Sequence, residues 1–232
     1  CSYNGSVTTI NLENEDAVAF TKAFFTKYVK YFAAKGCTHF GIGADEYAND
    51  VYSTGSMGFG QLVLTGKYSL FVNYVNEVAA IVSEASEKKM KPVAFNDGFY
   101  FNGNTTSGTF STDIVISFWT SGWGGYQSET ASRLAARGHQ MINTNGDFYY
   151  VLGKSDKFDS GYDYASNFSN TAFMGSTVSN PAGATFCVWC DNPGAETEQE
   201  IAKNIRLVLR AMAQRMDGKD VSVNENKLVS GG

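Results

Sequence analysis

Hydrophobic residues recur along the chain in two alternating patterns, one spaced as in helices and the other as in strands. The predicted helices cover residues 18–32, 68–89, 128–136 and 197–212. We expect the first helix to stop at Gly36, because glycine readily takes the left-handed conformation that ends a helix. Ser128 is the predicted cap of the third helix, and Thr197 with Glu200 forms the capping box of the last.

The strand-like segments lie between these helices. They cover residues 38–43, 91–95, 113–118, 140–143 and 184–189. Each is a short, nearly continuous apolar run, which is typical of a parallel sheet covered on both faces. We therefore predict an α/β fold with five βα units, while residues 145–180 are polar and aromatic and fit neither period.

Composition narrows the class of protein. Of 232 residues, 43% are hydrophobic and 14% aromatic, which excludes a disordered chain. There are 18 Lys and Arg against 23 Asp and Glu, giving a net charge of −5 without a basic cluster. Nucleic acid is therefore not expected as a partner, since phosphate binding requires clustered positive charge. No apolar run is long enough for a membrane-spanning helix.

Four cysteines raise the possibility of a disulfide framework or a metal site. Cys187 and Cys190 form a single CxxC pair, and Cys1 and Cys37 lie far away in sequence. With no second CxxC and only two histidines, a closed zinc site has little support, so we expect no metal. The segment around the CxxC pair resembles a core strand, which predicts buried free thiols and leaves the redox compartment open.

The strand ends carry residues that an ordinary core would not select. They are Asp45-Glu46, Asn96-Asp97, Trp119, Asn143 with Asn145, and Trp189 with Asp191. In a (β/α)8 barrel these carboxyl ends converge on one mouth, so their side chains would face a common pocket. Carboxylates beside aromatic rings are typical of sugar sites, where rings stack on the pyranose and acids bind hydroxyls or protonate the glycosidic oxygen.

Each residue also has an ordinary structural interpretation. Asp45-Glu46 could favour a helix N-terminus, the two tryptophans could fill the core, and the two later aspartates could cap turns. Their convergence at successive strand ends outweighs these separate interpretations. His39 and His139 lie at strand starts, on the face that stabilises such folds, so we interpret both as structural.

Other catalytic motifs are absent or incomplete. Residues 41–46 begin like a dinucleotide-binding loop, but Glu46 occupies the third glycine position and would repel a pyrophosphate. The chain has neither the GxSxG elbow of serine hydrolases nor the GxxxxGK[ST] phosphate loop. No cofactor is expected.

Residues 40–47, Phe-Gly-Ile-Gly-Ala-Asp-Glu-Tyr, resemble the Gly-(Gly/Ala)-Asp-Glu motif of family 20 glycoside hydrolases, the β-N-acetylhexosaminidases. The variant is closest to that of large surface enzymes of Gram-positive bacteria. Further matches follow in order along the chain, at residues 95–97, 116–119, 149–152 and 188–191. The resemblance implies a (β/α)8 TIM barrel and a secreted or cell-surface location.

The resemblance also implies substrate-assisted, retaining catalysis, in which the substrate's own 2-acetamido oxygen attacks the anomeric carbon. Glu46 would be the general acid that protonates the leaving oxygen and then the base that activates water. Asp45 would bind the acetamido N–H and stabilise the oxazolinium intermediate. Tyr150 would hold the acetamido oxygen from the other side.

Substrate contacts are implied at five further positions. Trp119 and Trp189 would enclose the acetamido methyl and the sugar ring, and Asp191 would bind hydroxyls at the far end of the sugar. Phe95, where the family often has Trp, and Asp97 would also contact the substrate. We therefore expect an exo-β-N-acetylhexosaminidase that releases terminal N-acetylglucosamine or N-acetylgalactosamine from glycans without a metal.

Three alternatives remain open. The first is release of a disaccharide, as in lacto-N-biosidases. The second is a carbohydrate-binding or inactive fragment that keeps the pocket without turnover, and the third is a complete five-stranded doubly wound domain of unrelated function.

Length bears on the second alternative. The five predicted strands occupy residues 38–189, whereas an eight-stranded barrel takes about 250 residues. We expect residues 1–232 to be the C-terminal portion of a catalytic barrel, covering about five βα units. The first strands, with the family's sugar-binding Arg and an upstream His, would lie on another segment that completes the barrel.

Overall fold

A computed structural model describes residues 9–47, 59–122, 128–144, 149–151, 167–190 and 192–220. The chain forms two compact units, Cys1–Met141 and Ile142–Gly232. Each is built from short strands and amphipathic helices.

The first unit contains a parallel sheet and the helices that follow its strands. Its elements are α1 (Glu15–Ala33), β1 (His39–Gly43), α2 (Phe59–Leu64), α3 (Tyr68–Ala85), β2 (Lys91–Phe95), a 3-10 turn (Phe101–Gly103), β3 (Val115–Phe118) and α4 (Ala131–Ala136). Strand β2 pairs in parallel with both β1 and β3. Helix α1 begins where Asn14 accepts the Ala17 N–H at 2.9 Å, and Gly36 at φ +82° follows its end, as expected.

Helix α3 buries one face against this sheet. The buried residues are Tyr68, Phe71, Val72, Val75, Val78, Ala79 and Val82. Near the start of β2, Val82 packs with Val29 of α1 and Met90, and Phe40 of β1 lies against this cluster. The apolar face of α3 therefore helps to form a core that holds β1 and β2 in place.

The connection from β2 to β3 departs from a regular βα unit. Among its residues the structure describes the 3-10 turn and no α-helix. Aromatic side chains fill the space instead, with Phe99 and Phe110 packed at a centroid distance of 4.2 Å and Tyr68 beside Phe71 at 5.9 Å. Their burial supports the backbone directly after β2.

Among its described residues, the second unit contains short strand pairings and a long helix. Its strands are β4 (Met141–Asn143, beginning at the last residue of the first unit), β5 (Tyr149–Val151), β6 (Ala172–Phe173), β7 (Ser176–Thr177), β8 (Gly183–Ala184) and β9 (Cys187–Trp189). Strands β4 and β8 are parallel, as are β5 and β9, whereas β6 and β7 form an antiparallel hairpin. Helix α5 (Glu198–Met216) begins with the predicted capping box of Thr197 and Glu200.

Two predicted boundaries are wrong at helices. Helix α4 is capped by Thr130, which accepts the Arg133 N–H, and Ser128 lies outside the helix. Helix α3 ends at Ala85 instead of residue 89, because Glu87 and Lys88 adopt left-handed conformations at φ +55° and +61°.

The predicted strand 184–189 is also wrong as a single element. It consists of β8 and β9, which pair with different strands. Between them, Phe186 packs against the core cluster of Phe168, Val208, Ala211 and Met212. Within this continuous apolar run, the backbone therefore changes the strand with which it pairs, from β4 to β5.

The cysteines that the structure describes are free, as expected, but they are not buried. Cys37 and Cys187 are half-buried and Cys190 is exposed, while Cys1 lies outside the described residues. Cys187 begins the short β9 and Cys190 directly follows it, and this strand is only partly covered within the described residues.

Candidate active site

The chain leaves β1 through a strained turn that carries the predicted acidic pair. Gly43, Ala44 and Glu46 have φ angles of +71°, +69° and +45°. Left-handed geometry costs a non-glycine residue about 1–2 kcal/mol. A register shift between Gly41 and Gly43 precedes the turn, and such bulges commonly redirect side chains beside active sites. Asp45 and Glu46 therefore lie beyond the regular alternation of β1, as expected.

Asp97 connects this turn to the end of β3. Its Oδ2 accepts the backbone N–H of Glu46 at 2.6 Å, and its Oδ1 accepts the indole N–H of Trp119 at 3.1 Å. The Asp97 side chain is completely buried, with 0% exposure. One carboxylate thus joins the ends of β1, β2 and β3.

Asn96, directly before it, connects β2 to the loop after β3. Its Oδ1 accepts the backbone N–H groups of Trp119 and Thr120 at 2.8 and 3.3 Å. Its Nδ2 donates to the Thr120 carbonyl at 2.7 Å and to Oγ of Ser128 at 2.5 Å. Asn96 is also 0% exposed, so its amide replaces backbone pairing at the point where the two strands end.

Tyr47 fixes the other side of Glu46. Its buried ring packs against Phe59 and Phe71 at centroid distances of 6.2 and 5.5 Å. Its hydroxyl donates to the Ile10 carbonyl at 3.2 Å. Glu46 is therefore held by its own N–H and by a buried neighbour, while its side chain is exposed.

Two carboxyl groups of the site, those of Asp97 and Asp45, have raised pKa values. Burial raises the pKa of Asp97 to about 7, and the negative charge of Asp45 adds to this shift, against hydrogen bonds from Glu46 and Trp119 that lower the pKa. Asp45 reaches solvent, yet the surrounding protein partly desolvates its carboxylate and raises its pKa. Perturbed carboxylates at strand ends are typical of functional sites.

The first unit brings together four of the expected site residues, namely Asp45, Glu46, Asp97 and Trp119. Asp45 and Glu46 are exposed, and Trp119 is half-buried. Phe95, the last residue of β2, is also half-buried. The exposed pair is open to a ligand, whereas Asp97 lies behind it.

The remaining expected residues belong to the second unit. Trp189 ends β9, is 37% exposed and pairs with Val151. The backbone of Tyr150 lies in β5, opposite Val188. The side chain of Tyr150 and all of Asp191 lie outside the described residues.

The sequence places Asn96 among the side chains expected to face a pocket, whereas the structure buries it as a bridge between strand ends, and Tyr47 has no predicted role. The signal for Asn96 was present, since two polar residues directly follow the apolar run of β2. Tyr47 offered only its position after the acidic pair, and its anchoring role depends on rings that lie further along the chain.

The two histidines have the positions expected of structural residues. His39 begins β1, and its Nδ1 lies 2.9 Å from the Thr38 hydroxyl. His139 is buried, with Nδ1 3.1 Å from the Ile114 carbonyl and its ring edge-on to Phe99. Burial lowers the pKa of His139, which favours a neutral ring.

The described residues contain neither a cluster of metal-ligating side chains nor a membrane-spanning helix. In these parts of the chain, no group of three or more His, Cys, Asp or Glu side chains could hold a metal ion. No described helix combines the length and apolar character needed to span a membrane.

Comparison with known proteins identifies relatives of this arrangement. Residues 2–206 match the family model described as glycosyl hydrolase family 20, catalytic domain. A solved structure of the tandem GH20 catalytic modules in the pneumococcal exo-β-D-N-acetylglucosaminidase StrH is 32% identical, with a TM-score of 0.80 over 93% of this chain and 52% of that chain.

A second structure, from work on inhibition of the pneumococcal virulence factor StrH and on N-glycan recognition and hydrolysis, is 31% identical. It has a TM-score of 0.82 over 99% of this chain and 55% of that chain. The present chain therefore spans about half the length of these relatives.

Proposed function

Since the chain belongs to glycoside hydrolase family 20, we propose that it carries the acid–base machinery of a retaining exo-β-N-acetylhexosaminidase. Its fold is that of the family's (β/α)8 barrel, of which it covers part. The substrate is a glycan with a terminal β-linked N-acetylglucosamine or N-acetylgalactosamine. The observation that carries the proposal is the exposed Asp45-Glu46 pair on a strained turn after β1, anchored from behind by Asp97.

The first step breaks the glycosidic bond. The 2-acetamido oxygen of the substrate attacks the anomeric carbon while Glu46 donates a proton to the departing oxygen. Asp45 accepts the acetamido N–H and stabilises the positive charge of the resulting oxazolinium. Asp45 and Glu46 are adjacent in the chain, so a single turn presents both the proton donor and the residue that binds the acetamido group.

The second step restores both enzyme and configuration. Glu46, now a carboxylate, takes a proton from water as the water oxygen attacks the anomeric carbon and the acetamido oxygen leaves. Two inversions at this carbon give net retention. Trp119 and Trp189 would enclose the acetamido group and the ring, with Phe95 nearby.

The remaining contacts come from positions whose side chains lie outside the described residues. In the proposal, Tyr150 holds the acetamido oxygen and Asp191 binds hydroxyls of the sugar. A glycan substrate and relatives from pneumococcus support a secreted or cell-surface location.

The test uses the full-length protein and two aryl β-N-acetylglucosaminides. Glu46→Gln should lower kcat/KM about 10²- to 10⁴-fold on the phenyl glycoside, whose leaving group needs a proton. The loss should be much smaller on the dinitrophenyl glycoside, whose leaving group does not. Glu84→Gln, at an exposed position of α3, is the matched control and should retain activity. Equal turnover of the phenyl glycoside by wild type and Glu46→Gln would refute the assigned acid.

Substrate assistance has its own test. A thiazoline that mimics the oxazoline should inhibit competitively, and Asp45→Asn should weaken that inhibition. Proton NMR should detect the β-anomer as the first product. An α-anomer as first product would refute retention, and no affinity for the thiazoline in active enzyme would refute substrate assistance.

We also propose that residues 1–232 form the C-terminal portion of the catalytic barrel. The chain is matched over 93–99% of its length but covers only 52–55% of the related chains. Among the described residues, β1 pairs with β2 alone, and α1 exposes Phe20 and Tyr31 by 71% and 56%. These features suit packing against further βα units.

Measuring kcat for residues 1–232 alone and for the full-length protein tests this arrangement. Residues 1–232 alone should be a non-catalytic carbohydrate-binding fragment at most, and the full-length protein should turn over substrate. Equal kcat for the two would refute the need for further strands.

A further inference from the structure

Asp97 occupies a position unlike that of a sugar ligand. Its side chain is completely buried, and each of its oxygens already accepts a hydrogen bond from the protein. Building on the function proposed above, we propose that Asp97 is a positioning residue that locks Glu46 and Trp119 into one relative geometry. It acts on the reaction through these two residues and does not touch the substrate.

The contact with Glu46 fixes the backbone of the acid. Glu46 has a φ of +45° and follows Ala44 at +69°, so its local conformation is unfavourable without support. The 2.6 Å bond from its N–H to Oδ2 of Asp97 supplies that support and sets the plane of the peptide. The direction in which the Glu46 side chain leaves the backbone follows from this plane.

The contact with Trp119 fixes a ring. The backbone N–H of Trp119 donates to Asn96, and its indole N–H donates to Oδ1 of Asp97 at 3.1 Å. The residue is thus held at its backbone and at the polar edge of the indole. Rotating the ring away breaks a hydrogen bond to a fully buried carboxylate, which is costly.

The two contacts together require an ionised carboxylate. A carboxylate accepts strongly through both oxygens, whereas an amide has a donor NH2 in place of one oxygen, and the hydroxyl of a protonated carboxyl is a donor and only a weak acceptor. That donor would face the N–H of either Glu46 or Trp119, and one contact would be lost. Asp97 therefore couples the acid to the aromatic wall in a way that asparagine cannot reproduce.

Burial of Asp97, with a smaller effect of the Asp45 charge, places this coupling near neutral pH. From the end of β1, the Asp45 carboxylate and the backbone N–H of Glu46 face Asp97, and from β3 the facing group is the neutral indole of Trp119. Burial and the Asp45 charge raise the pKa of Asp97 to about 7. Protonation of Asp97 should then release one of the two N–H groups as the pH falls.

The kinetic test is a double-mutant cycle in the full-length protein. Asp97→Asn should lower kcat about 10- to 100-fold, as expected when a catalytic group is displaced, with a smaller change in KM. Trp119→Phe keeps a ring but removes the indole N–H, so in the double variant the one oxygen of the introduced amide can serve Glu46. The double variant should therefore be more active than the product of the two single effects predicts. Additive effects would overturn the proposal.

A spectroscopic test does not depend on activity. In ¹⁵N NMR of the wild-type protein, the Glu46 amide and the Trp119 indole resonances should titrate with one common midpoint. Asp97→Asn should abolish that common titration, and Asp113→Asn, at an exposed position, should leave it intact. Independent midpoints, or no response of either resonance in the wild type, would overturn the proposal even if the variant failed to fold.

The two tests separate this inference from the proposed function. A protein without hexosaminidase activity would refute the function, while the shared titration would still decide whether Asp97 couples the two groups. An active enzyme with additive variants and independent titrations would refute only the positioning role.

Discussion

The backbone N–H of Glu46 donates a 2.6 Å hydrogen bond to Oδ2 of Asp97, across 51 residues of sequence. It extends the junction between β1 and β2 beyond their last paired residues, Gly43 and Ala94. Because Asp97 also accepts the Trp119 indole, a single buried carboxylate sets the geometry of three strand ends. The buried charge that organises the site also gives the protein a characteristic dependence on pH.

The contribution of Asp97 to protein stability should fall as the pH rises from about 4 to about 7. Asp97 has a pKa of about 7 in the folded protein against 3.8 as its ordinary value, so in this window the folded state binds more protons than the unfolded state. The free energy of unfolding then decreases as the pH increases. The raised pKa of Asp45 acts in the same direction.

Urea unfolding between about pH 4.5 and 8 measures this effect in the wild type and in Asp97→Asn. The variant should have a flatter profile because it lacks the buried titrating group. Glu87, Glu200 and His139, whose pKa values are lowered, contribute equally to both proteins and cancel in the difference. Parallel profiles would contradict the raised pKa of Asp97.

Asn96→Ala should destabilise the protein and loosen the loop that begins at Trp119. It leaves the N–H groups of Trp119 and Thr120 without the Asn96 acceptor, and each such buried loss costs about 1–3 kcal/mol. Urea unfolding gives the cost in stability. KM should also rise, since Trp119 belongs to the proposed sugar pocket.

Asn76→Ala is the matched control for this change. Asn76 also bridges two backbone groups, accepting the Ser111 N–H and donating to the Thr109 carbonyl at 2.8 Å each. It is only half-buried, so water can replace its contacts and the loss should be smaller. Equal costs for the two alanine variants would indicate that burial of Asn96 is unimportant.

Local sequence signals predicted the elements that depend on local contacts. Strand β2 has the predicted bounds. Helix α5 begins at the predicted capping box, because the hydrogen bonds of this box join Thr197 and Glu200, which are three residues apart. The family motif likewise identified the acidic pair after β1. These features require no knowledge of distant partners.

Features that depend on distant partners were not predicted. Ser128 looked like a helix cap, but its hydroxyl accepts from Asn96, 32 residues away, and Thr130 caps α4 instead. Asp97 joins three strand ends, which no local pattern around residues 95–97 indicates. Its two hydrogen-bond partners come from other strand ends, and the sequence pattern does not reveal such pairings.

Thr197→Ala should weaken the start of α5. The Thr197 hydroxyl accepts the Glu200 N–H, and the Glu200 carboxylate accepts the Thr197 N–H at 2.7 Å. Loss of an N-cap of this kind typically costs about 1 kcal/mol. Thr197→Ser keeps the hydroxyl and should retain most of the stability in urea unfolding, so a similar loss in both variants would contradict the capping role.

Gly98→Ala should damage both stability and catalysis because of where Gly98 lies. A Cβ at this position would be 2.6 Å from Cζ of Phe71 and 2.7 Å from Cε1 and Cζ of Phe59, closer than real contacts allow. The backbone cannot easily retreat, since the Tyr68 hydroxyl donates to the Gly98 carbonyl. The two rings must therefore move, at a cost of about 1–3 kcal/mol.

This displacement should reach the active site by a short route. Phe59 and Phe71 also pack against Tyr47, the residue after Glu46, and Gly98 directly follows Asp97. We expect kcat to fall together with the urea midpoint. Gly60→Ala is the control, because its Cβ would lie 3.6 Å from Phe101, an ordinary contact, and alanine favours the helix α2. If Gly98→Ala proved as stable and as active as Gly60→Ala, the aromatic packing beneath Asp97 would not be what holds the site in place.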